Sequence, residues 1–370
     1  MNNGAAVTAM AAVTSLGIGV DQLVSGLLAG RRGFSRPGHF DSRGLELGVV
    51  TPADNPEQKP AVSRAVRLLE LLRPQLPEIS GDTWLVLGTT VGEIDRIENG
   101  GDGEIDTSRE LLADAGKFFG TGRGLLISAA CASGASVVAA AAELIISGRA
   151  GQVLAVGVDI LSEFVHSGFV SLGAVSSGIA RPYDAGRDGL ILGEGAGAVL
   201  LTCAEAARRP VGRVVGWGES CDAAHITAPD LRGRQLAAAM REALESAGVS
   251  PGEVAGVVGH GTGTRYNDEA ELNALAELFS GFSVPPLFSL KANIGHTLGA
   301  TGVLQAVAAL ELARRGVWPP QAGLLDPAPG AADFVSRLSR PIGAGVVLSL
   351  NAGFGGLNSA LVVRCDGGDQ

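Results

Sequence analysis

Residues 124–146 read GLLISAACASGASVVAAAAELII and decide the fold, because a short apolar strand, one cysteine and an apolar helix follow one another directly. We expect the strand over residues 124–128 and the helix over residues 132–146. A helix that is apolar on nearly every face has to be buried on nearly every face. The sequence therefore predicts a helix at the centre of the molecule, with Cys131 at its N-terminus.

A second stretch repeats this order nearer the C-terminus. Residues 287–312, LFSLKANIGHTLGATGVLQAVAALEL, read as a short strand, a loop with Lys291 and His296, and a helix over residues 300–312. Elsewhere strand-like runs alternate with helical ones, which is typical of an α/β fold. Two buried helices that each follow a strand and a loop indicate a duplicated α/β unit whose two loops converge.

The composition excludes several classes of protein. The chain has 370 residues and a formal net charge of −10, which argues against nucleic acid or an anionic membrane surface as the main partner. We expect no secretory signal, and the apolar run over residues 132–146 is too short to span a bilayer. Four scattered cysteines without metal-binding spacing suit a reducing compartment, so we expect the protein in the cytoplasm.

Three side chains are candidates for chemistry. Cys131 precedes the buried helix, where free backbone N–H groups and the helix dipole favour a thiolate. His260 and His296 each follow a strand, and we expect the glycines on both sides of His260 to let a substrate approach closely. Taken singly, each of the three fits a buried structural residue as well or better. A cysteine and two histidines at three strand ends together favour a nucleophilic catalytic site.

Six ordered segments together resemble the β-ketoacyl-acyl carrier protein synthases of the elongating type. The resemblance covers most of the chain and is strongest from about residue 125 onward. The segments are ISAACASG (127–134), ARPYDAGRDGLILGEGAGAVLL (180–201), SCDAAHITAPD (220–230), GHGTGTRYNDEAE (259–271), SLKANIGHTLGATG (289–302) and GFGGLN (353–358).

That resemblance implies the thiolase fold, in which two βαβαβαββ halves form αβαβα layers around buried central helices. The expected halves are residues 1–205, with the nucleophilic cysteine, and residues 206–370, with the two catalytic histidines. Cys131 would accept the acyl group. His260 and His296 would bind the malonyl thioester and promote its decarboxylation. Lys291 and Glu271 match the family's supporting charged pair beside the active site.

The resemblance also implies how the substrates are held. Thr262 and Thr264 match the threonines that hydrogen-bond the phosphopantetheine arm. The backbone N–H groups of Cys131 and Phe354 would form the oxyanion hole. Phe354 matches the aromatic residue in front of the acyl pocket, and we expect Phe169 to be a second wall of that pocket.

The expected partner is an acyl carrier protein. Such carriers are acidic, so this acidic chain needs a local basic patch to dock one. Arg64 and Arg67, three residues apart on one predicted helix, match the region where family members dock the carrier, with Arg31 and Arg32 as further candidates. An ordinary solvated helix face explains these arginines equally well.

The reaction implied is the decarboxylative condensation of an acyl group on Cys131 with malonyl-acyl carrier protein, which gives a 3-oxoacyl product. It requires no metal and no redox cofactor. We expect a homodimer or a heterodimer with a chain-length-factor-like subunit. The alternatives are an acyltransferase that does not condense and a non-catalytic subunit, although family members of the latter kind lack the cysteine.

Three departures from the family pattern bear on the substrate. The stretch between Phe169 and Arg181 is short, Ala352 stands where an aromatic residue is common, and Leu357 stands where threonine is common. These changes leave the catalytic residues intact. They suit a specialised polyketide or polyene pathway better than bulk fatty-acid synthesis.

Overall fold

A computed structural model describes residues 4–50, 62–100 and 106–365. The strands are β1 (Ala5–Thr14), β2 (Gly17–Ile18), β3 (Trp84–Gly88), β4 (Arg123–Ile127), β5 (Gln152–Asp159), β6 (Gly195–Cys203), β7 (Gly212–Cys221), β8 (Val254–Val258), β9 (Leu287–Phe288), β10 (Val317–Trp318), β11 (Arg340–Pro341), β12 (Val346–Gly353) and β13 (Leu357–Cys365). The helices are α1 (Val20–Leu28), α2 (Arg64–Leu72), α3 (Ile94–Glu98), α4 (Thr107–Phe119), α5 (Ser133–Ile146), α6 (Glu163–Ser171), α7 (Arg234–Ala247), α8 (Arg265–Leu278), α9 (Lys291–Ile294) and α10 (Thr301–Arg315).

The strand pairing is the same in the two halves of the chain. In the first half, β3 lies parallel between β4 and β5, β6 is antiparallel to β5, and β1 is antiparallel to β6. In the second half, β8 lies parallel between β9 and β12, β13 is antiparallel to β12, and β7 is antiparallel to β13. The predicted duplication is confirmed. Antiparallel pairing of β1 with β7 joins the two sets of strands.

The order of elements repeats as well. Without the short and peripheral helices, the first half runs β1, α2, β3, α4, β4, α5, β5, β6, and the second runs β7, α7, β8, α8, β9, α10, β12, β13. Each half is therefore the expected βαβαβαββ unit. The layers also agree with the expectation, because α2 and α4 cover one outer face, α7 and α8 the other, and α5 and α10 lie between the two sets of strands.

Alternating side chains on single strands produce this layering. On β6, Val199 and Leu201 point towards the central helices, whereas Ala198 and Leu200 point towards α2 and α4. Successive side chains on a strand face opposite sides of the sheet. Where helices cover both faces, as they do at β3, β6 and β8, the strand is apolar over most of its length rather than on alternate positions.

The central helices touch backbone to backbone. A Cβ atom on Gly302 of α10 would lie 2.1 Å from the backbone nitrogen of Ala135, and one on Gly134 of α5 would lie 2.6 Å from the carbonyl oxygen of Gly299. Only glycine permits this approach. Because the loops before α5 and α10 carry Cys131 and His296, the contact brings these two residues together.

The sequence did not predict α6, which lines a cavity. Its sequence EFVHSGFVS mixes aromatic, β-branched, glycine and polar residues without a helical apolar period. The helix begins because the side chain of Ser162 accepts a hydrogen bond from the backbone N–H of Val165, 3.1 Å away. None of the helices in the described part of the chain has the length and apolar character needed to cross a membrane.

Candidate active site

Cys131, His260 and His296 meet at one cavity of about 410 Å³. The cysteine comes from the loop between β4 and α5, His260 from the end of β8, and His296 from the loop before α10. Each residue is less than a tenth exposed. The three strand ends singled out in the sequence are therefore adjacent in the structure, although Cys131 and His296 are far apart along the chain.

The loop around Cys131 is held in a strained conformation. Ala130, just before the cysteine, has φ of 48°, which a residue with a side chain rarely adopts. The hydroxyl of Ser133 accepts a hydrogen bond from the backbone N–H of Ala129 at 2.8 Å and donates one to the carbonyl oxygen of Ala130 at 2.6 Å. These bonds fix the turn that presents the cysteine at the start of α5.

The expectation of a resting thiolate at Cys131 is wrong. Burial raises the pKa of the thiol to about 12, while the nearby positive charge of Lys291 acts in the opposite direction. Removing the sulfur from water penalises the charged form, and here this effect exceeds the attraction of the lysine. Cys131 is therefore a neutral thiol at rest and must lose its proton during acyl transfer.

Lys291 sets the hydrogen-bonding direction of His260. The lysine Nζ lies 3.3 Å from His260 Nδ1 and also contacts the carbonyl oxygen of His260. A lysine ammonium can only donate, so Nδ1 accepts and the ring proton is on Nε2. Burial and the charge of Lys291 hold the pKa of His260 well below its usual range. The imidazole is thus neutral, with Nε2–H as its remaining donor.

His296 has the same tautomer for a different reason. The backbone N–H of Leu298 donates to His296 Nδ1 at 3.3 Å, and the hydroxyl of Thr301 lies at the same distance from that atom. Burial, followed by the charge of Lys291, keeps the pKa of His296 well below its usual range. The two rings meet edge to face with centroids 5.5 Å apart. The site therefore contains two neutral imidazoles that each retain an Nε2–H donor.

Glu271 holds the backbone on which His260 sits. Its carboxylate accepts hydrogen bonds from the backbone N–H groups of His260 at 2.6 Å and Gly261 at 2.8 Å, and from the hydroxyl of Tyr183 at 2.9 Å. Burial raises the pKa of Glu271 to about 7 and lowers that of Lys291 to about 8. Lys291 and Glu271, expected to act as a pair, both contact His260 from behind the cavity.

Thr262 and Thr264 line the wall of the same cavity, between the histidines and the start of α8. Their hydroxyl oxygens are 2.8 Å apart. Arg265 and Tyr266, which the sequence reading did not single out, are exposed where α8 begins and also line this cavity. The threonines thus lie on the path from the surface to Cys131, where a hydrogen-bonded arm is expected.

A second cavity of about 920 Å³ also reaches Cys131. Phe169 and Phe354 line both cavities, and their rings stack with centroids 5.6 Å apart. Gly353 packs against the cysteine loop so closely that a Cβ atom there would lie 3.2 Å from the backbone nitrogen of Cys131. The predicted aromatic wall is therefore directly beside the predicted nucleophile, between the two cavities.

The prediction that Arg64 docks a carrier is wrong. Its side chain is buried, and one guanidinium nitrogen donates to both carboxylate oxygens of Glu194, at 2.8 and 2.9 Å. An arginine committed to a buried ion pair cannot bind a second protein. Arg67, on the next turn of α2, is partly exposed, so its assignment stays a prediction.

Arg31 and Arg32, the further docking candidates, differ from each other. Arg31 is exposed, whereas Arg32 is partly buried and donates to the carbonyl oxygens of Ala292 and Ala180.

Within the residues that the structure describes, no group of three or more histidine, cysteine, aspartate or glutamate side chains is arranged to hold a metal ion.

Comparison with known proteins gives consistent matches along the chain. Residues 116–207 match the family model described as beta-ketoacyl synthase, N-terminal domain, and residues 211–325 match that described as beta-ketoacyl synthase, C-terminal domain. A polyketide beta-ketoacyl synthase 1 of Streptomyces cyaneus is 30% identical over 98% of both chains. A 3-oxoacyl-[acyl-carrier-protein] synthase 2 of Rhizobium meliloti is 36% identical over 64% of this chain and 59% of that protein.

The solved structures agree with the sequence matches. The ishigamide ketosynthase/chain length factor is 26% identical and has a TM-score of 0.88, over 99% of this chain and 100% of that one. A beta-ketoacyl synthase from Burkholderia phymatum is 30% identical with a TM-score of 0.84, over 98% and 99% of the two chains. The predicted thiolase fold is therefore confirmed.

Proposed function

The chain belongs to the β-ketoacyl synthase family, and on that premise we propose that it condenses an acyl group held on Cys131 with malonyl-acyl carrier protein. The products are CO2 and a 3-oxoacyl-acyl carrier protein. One observation carries the proposal: a cysteine and two neutral Nε2–H donors open into a single cavity. This set of groups suits acyl transfer followed by stabilisation of an enolate.

The first step loads the enzyme. The sulfur of Cys131 attacks the acyl thioester of the carrier, a new thioester forms, and the carrier thiol leaves with the proton that Cys131 gives up. The tetrahedral intermediate has a negative oxygen, and the backbone N–H groups of Cys131 and Phe354 are the donors proposed for it. Close packing of Gly353 against the cysteine loop supports this assignment.

The second step breaks the bond between the malonyl carboxylate and its neighbouring carbon. The electron pair of that bond moves into the thioester, so an enolate forms as CO2 departs. A developing enolate oxygen needs hydrogen-bond donors rather than a base. His260 and His296 are neutral and have Nε2–H to donate, which is why we assign them this role.

In the third step the enolate carbon attacks the acyl group on Cys131. A carbon–carbon bond forms, the thioester bond to Cys131 breaks, and the cysteine sulfur regains a proton from solvent. The raised pKa of Cys131 favours that protonation, so the enzyme returns to its neutral thiol. The three proposed steps use no metal ion and no redox cofactor.

The two cavities suggest separate paths for the two parts of the substrate. We assign the smaller cavity, lined by Thr262 and Thr264, to the phosphopantetheine arm, and the larger one, beyond Phe169 and Phe354, to the acyl chain. The carrier would then dock where Arg265 is exposed. Arg67 remains the proposed docking residue on α2.

The assembly proposed is a dimer. Arg123 to Leu125 are exposed on the edge strand β4, and Phe164 on α6 is 66% exposed beside the larger cavity. An exposed strand edge and exposed large apolar side chains both favour association with another subunit. Since the ishigamide structure contains a ketosynthase with a chain length factor, the partner is either a second copy or a subunit of that kind.

We place the reaction in polyketide rather than bulk fatty-acid synthesis. The match to the Streptomyces cyaneus polyketide protein covers 98% of both chains, whereas the match to the Rhizobium meliloti protein covers 59% of that protein.

None of the four cysteines forms a disulfide bond in the described structure. That state suits a reducing cytoplasm, which is the location we propose.

The test is to incubate the purified protein with an acyl-carrier and with malonyl-carrier, each alone and together. We expect CO2 release and a 3-oxoacyl-carrier only when the protein is present, with the acyl group found on Cys131 by mass spectrometry. Acyl transfer between carriers without CO2 would contradict the proposal and favour an acyltransferase. Condensation that starts only when a chain-length-factor-like subunit is added would identify the heterodimer.

A further inference from the structure

Tyr183 lies behind the active site and contacts no part of either cavity. Its side chain is fully buried, and its hydroxyl donates a hydrogen bond to Glu271, 2.9 Å away. The same carboxylate oxygen accepts from the backbone N–H of Gly261, and the other oxygen accepts from that of His260. Tyr183 is thus the one side-chain donor among the three groups that bind this carboxylate in the described structure.

The glycines around His260 make room for Tyr183. A Cβ atom on Gly259 would lie 2.0 Å from the tyrosine hydroxyl oxygen, and one on Gly261 would lie 2.5 Å from it. The sequence expectation that these glycines admit a substrate is therefore wrong. Any larger residue at either position would displace the tyrosine from Glu271.

The backbone of Tyr183 is also constrained. Its φ is 63°, in the left-handed region that residues with large side chains rarely adopt. Its N–H donates to Asp268 at 2.8 Å, and its carbonyl oxygen accepts from the N–H of Ala328. A conformation of this kind persists only where the surroundings fix it.

We propose that Tyr183 is a positioning residue, which keeps Glu271 a carboxylate and through it holds His260 in the orientation that presents Nε2–H to the thioester oxygen. The consequence for catalysis rests on the proposed function. Tyr183 does not touch the substrate, so its effect must pass through Glu271 and the backbone of His260.

Several charged groups face Glu271. Asp268 lies one turn earlier on α8 and is itself 3.7 Å from Arg187, while Lys291 approaches from the start of α9. Asp268 raises the pKa of Glu271, and the hydroxyl of Tyr183 lowers it. Glu271 in turn raises the pKa of Lys291. Loss of the tyrosine hydroxyl should therefore raise the pKa of Glu271 above about 7. Because Glu271 is then more often neutral, the pKa of Lys291 should fall below about 8.

Charged Lys291 can only donate to His260 Nδ1, and charged Glu271 raises the pKa of Lys291. In the proposed active form both groups are charged, so activity is lost at low pH as Glu271 is protonated and at high pH as Lys291 loses its proton. Removing the hydroxyl of Tyr183 raises the lower pH limit of activity and lowers the upper pH limit, so the active pH range narrows from both sides.

The experiment compares Tyr183→Phe with the unaltered protein in the decarboxylation of malonyl-carrier from pH 6 to pH 9. We expect the acidic limb to move up by about one pH unit and kcat near neutral pH to fall about threefold to tenfold, with little change in KM. Acyl loading of Cys131 should be unchanged at neutral pH. A uniform fall at every pH, or no fall, would overturn the inference.

A matched control separates positioning from folding. Thr83→Val removes another fully buried hydroxyl, which donates to Gln152 at 2.7 Å far from the site. This variant should lose stability to a similar degree and keep the pH profile of the unaltered protein. If both variants shift the profile alike, Tyr183 has only a structural role.

Two further measurements extend this test. The chain has two tyrosines, and Tyr266 lines the smaller cavity, so Tyr266→Phe with 3-fluorotyrosine is compared with Tyr266→Phe without it, and the two samples differ at Tyr183 alone. Fluorine makes the phenol a stronger donor, so the acidic limb of decarboxylation should move to lower pH in the fluorinated sample, and this comparison does not require Tyr183→Phe to fold. Nitrogen NMR of His260 needs no catalysis and should show Nε2 protonated in the unaltered protein and a mixture of tautomers in Tyr183→Phe. Unchanged spectra would refute the inference, whereas absence of CO2 from the unaltered protein would refute only the proposed function.

Discussion

The loops that follow β3 and β8 occupy equivalent places in the two halves, and a buried carboxylate holds each of them. After β3, Asp159 accepts hydrogen bonds from the hydroxyls of Thr89 and Thr90 and from the backbone N–H of Thr90. After β8, Glu271 accepts from the backbone N–H groups of His260 and Gly261. Asp159 comes from the end of β5 and Glu271 from α8, and only the second loop presents a side chain to which we assign a catalytic role.

The loops that follow β4 and β9 differ in a complementary way. The first presents Cys131, the proposed nucleophile, and the second presents His296, a proposed donor to the enolate. Asp159 also accepts the backbone N–H of Gly299 at 2.6 Å, so a carboxylate of the first half fixes the loop of the second. The two halves thus supply two pairs of equivalent loops, of which those after β3, β8 and β9 are held by buried carboxylates, while the proposed chemistry is divided so that neither half is a complete site.

The division predicts that the two halves can be inactivated separately, and the largest effect belongs to Cys131→Ala. Condensation should fall at least about a thousandfold, because no thioester can form on the enzyme. Decarboxylation of malonyl-carrier should persist, since His260 and His296 are intact and solvent can protonate the enolate. Mass spectrometry of the acylated protein and a CO2 assay measure the two activities.

Cys203→Ala is the matched control for that variant, because Cys203 is exposed and outside both cavities. It should load and condense normally. If Cys131→Ala still condensed at a comparable rate, the division between the halves would be wrong. If Cys131→Ala lost decarboxylation as well, the two histidines would need Cys131 for their function, although in the part of the chain that the structure describes they share no hydrogen bond with it.

The reciprocal variant is His296→Ala, with a smaller expected effect. Loss of one donor to the enolate should lower decarboxylation about a hundredfold to a thousandfold, while acyl transfer to Cys131 continues. Single-turnover loading and CO2 release distinguish the two steps. His166→Ala removes another buried imidazole that lines neither cavity, so it measures how much the loss of a buried imidazole lowers the free energy of unfolding. Equal losses of loading and decarboxylation in His296→Ala would show that the steps cannot be separated.

The comparison also shows which parts of the site the sequence could predict. The strand, loop and apolar helix around Cys131 and around His296 are local patterns that the sequence shows directly. Because both helices must be buried at the centre of the molecule, the sequence could also predict that the two loops meet. The hydrogen bond from Tyr183 to Glu271 joins residues 88 positions apart, and no local period signals it. The same holds for Arg64, whose burial depends on Glu194, 130 positions away.

Charge states were predicted less well than positions. The helix N-terminus suggested a thiolate at Cys131, and that argument is correct for an exposed cysteine. Burial of the sulfur is decided by how α5 packs between the two sheets, which the local sequence does not specify. Helix α6 was missed for a related reason, because its short mixed sequence becomes helical through the Ser162 cap and packing beside the cavity.

The smallest expected effect tests the contact that brings the halves together. Gly302→Ala places a Cβ atom 2.1 Å from the backbone of Ala135, so α5 and α10 must move apart at a cost of about 1–3 kcal/mol, which exceeds the gain of up to about 1 kcal/mol in helix propensity. Gly116→Ala, in α4, meets nothing closer than 3.8 Å and should be neutral or stabilising. Urea denaturation measures both. The loops that carry Cys131 and His296 move with these helices. Condensation by folded Gly302→Ala should therefore fall more than acyl loading of Cys131 or decarboxylation of malonyl-carrier. Equal losses of all three activities would show that this contact only stabilises the fold.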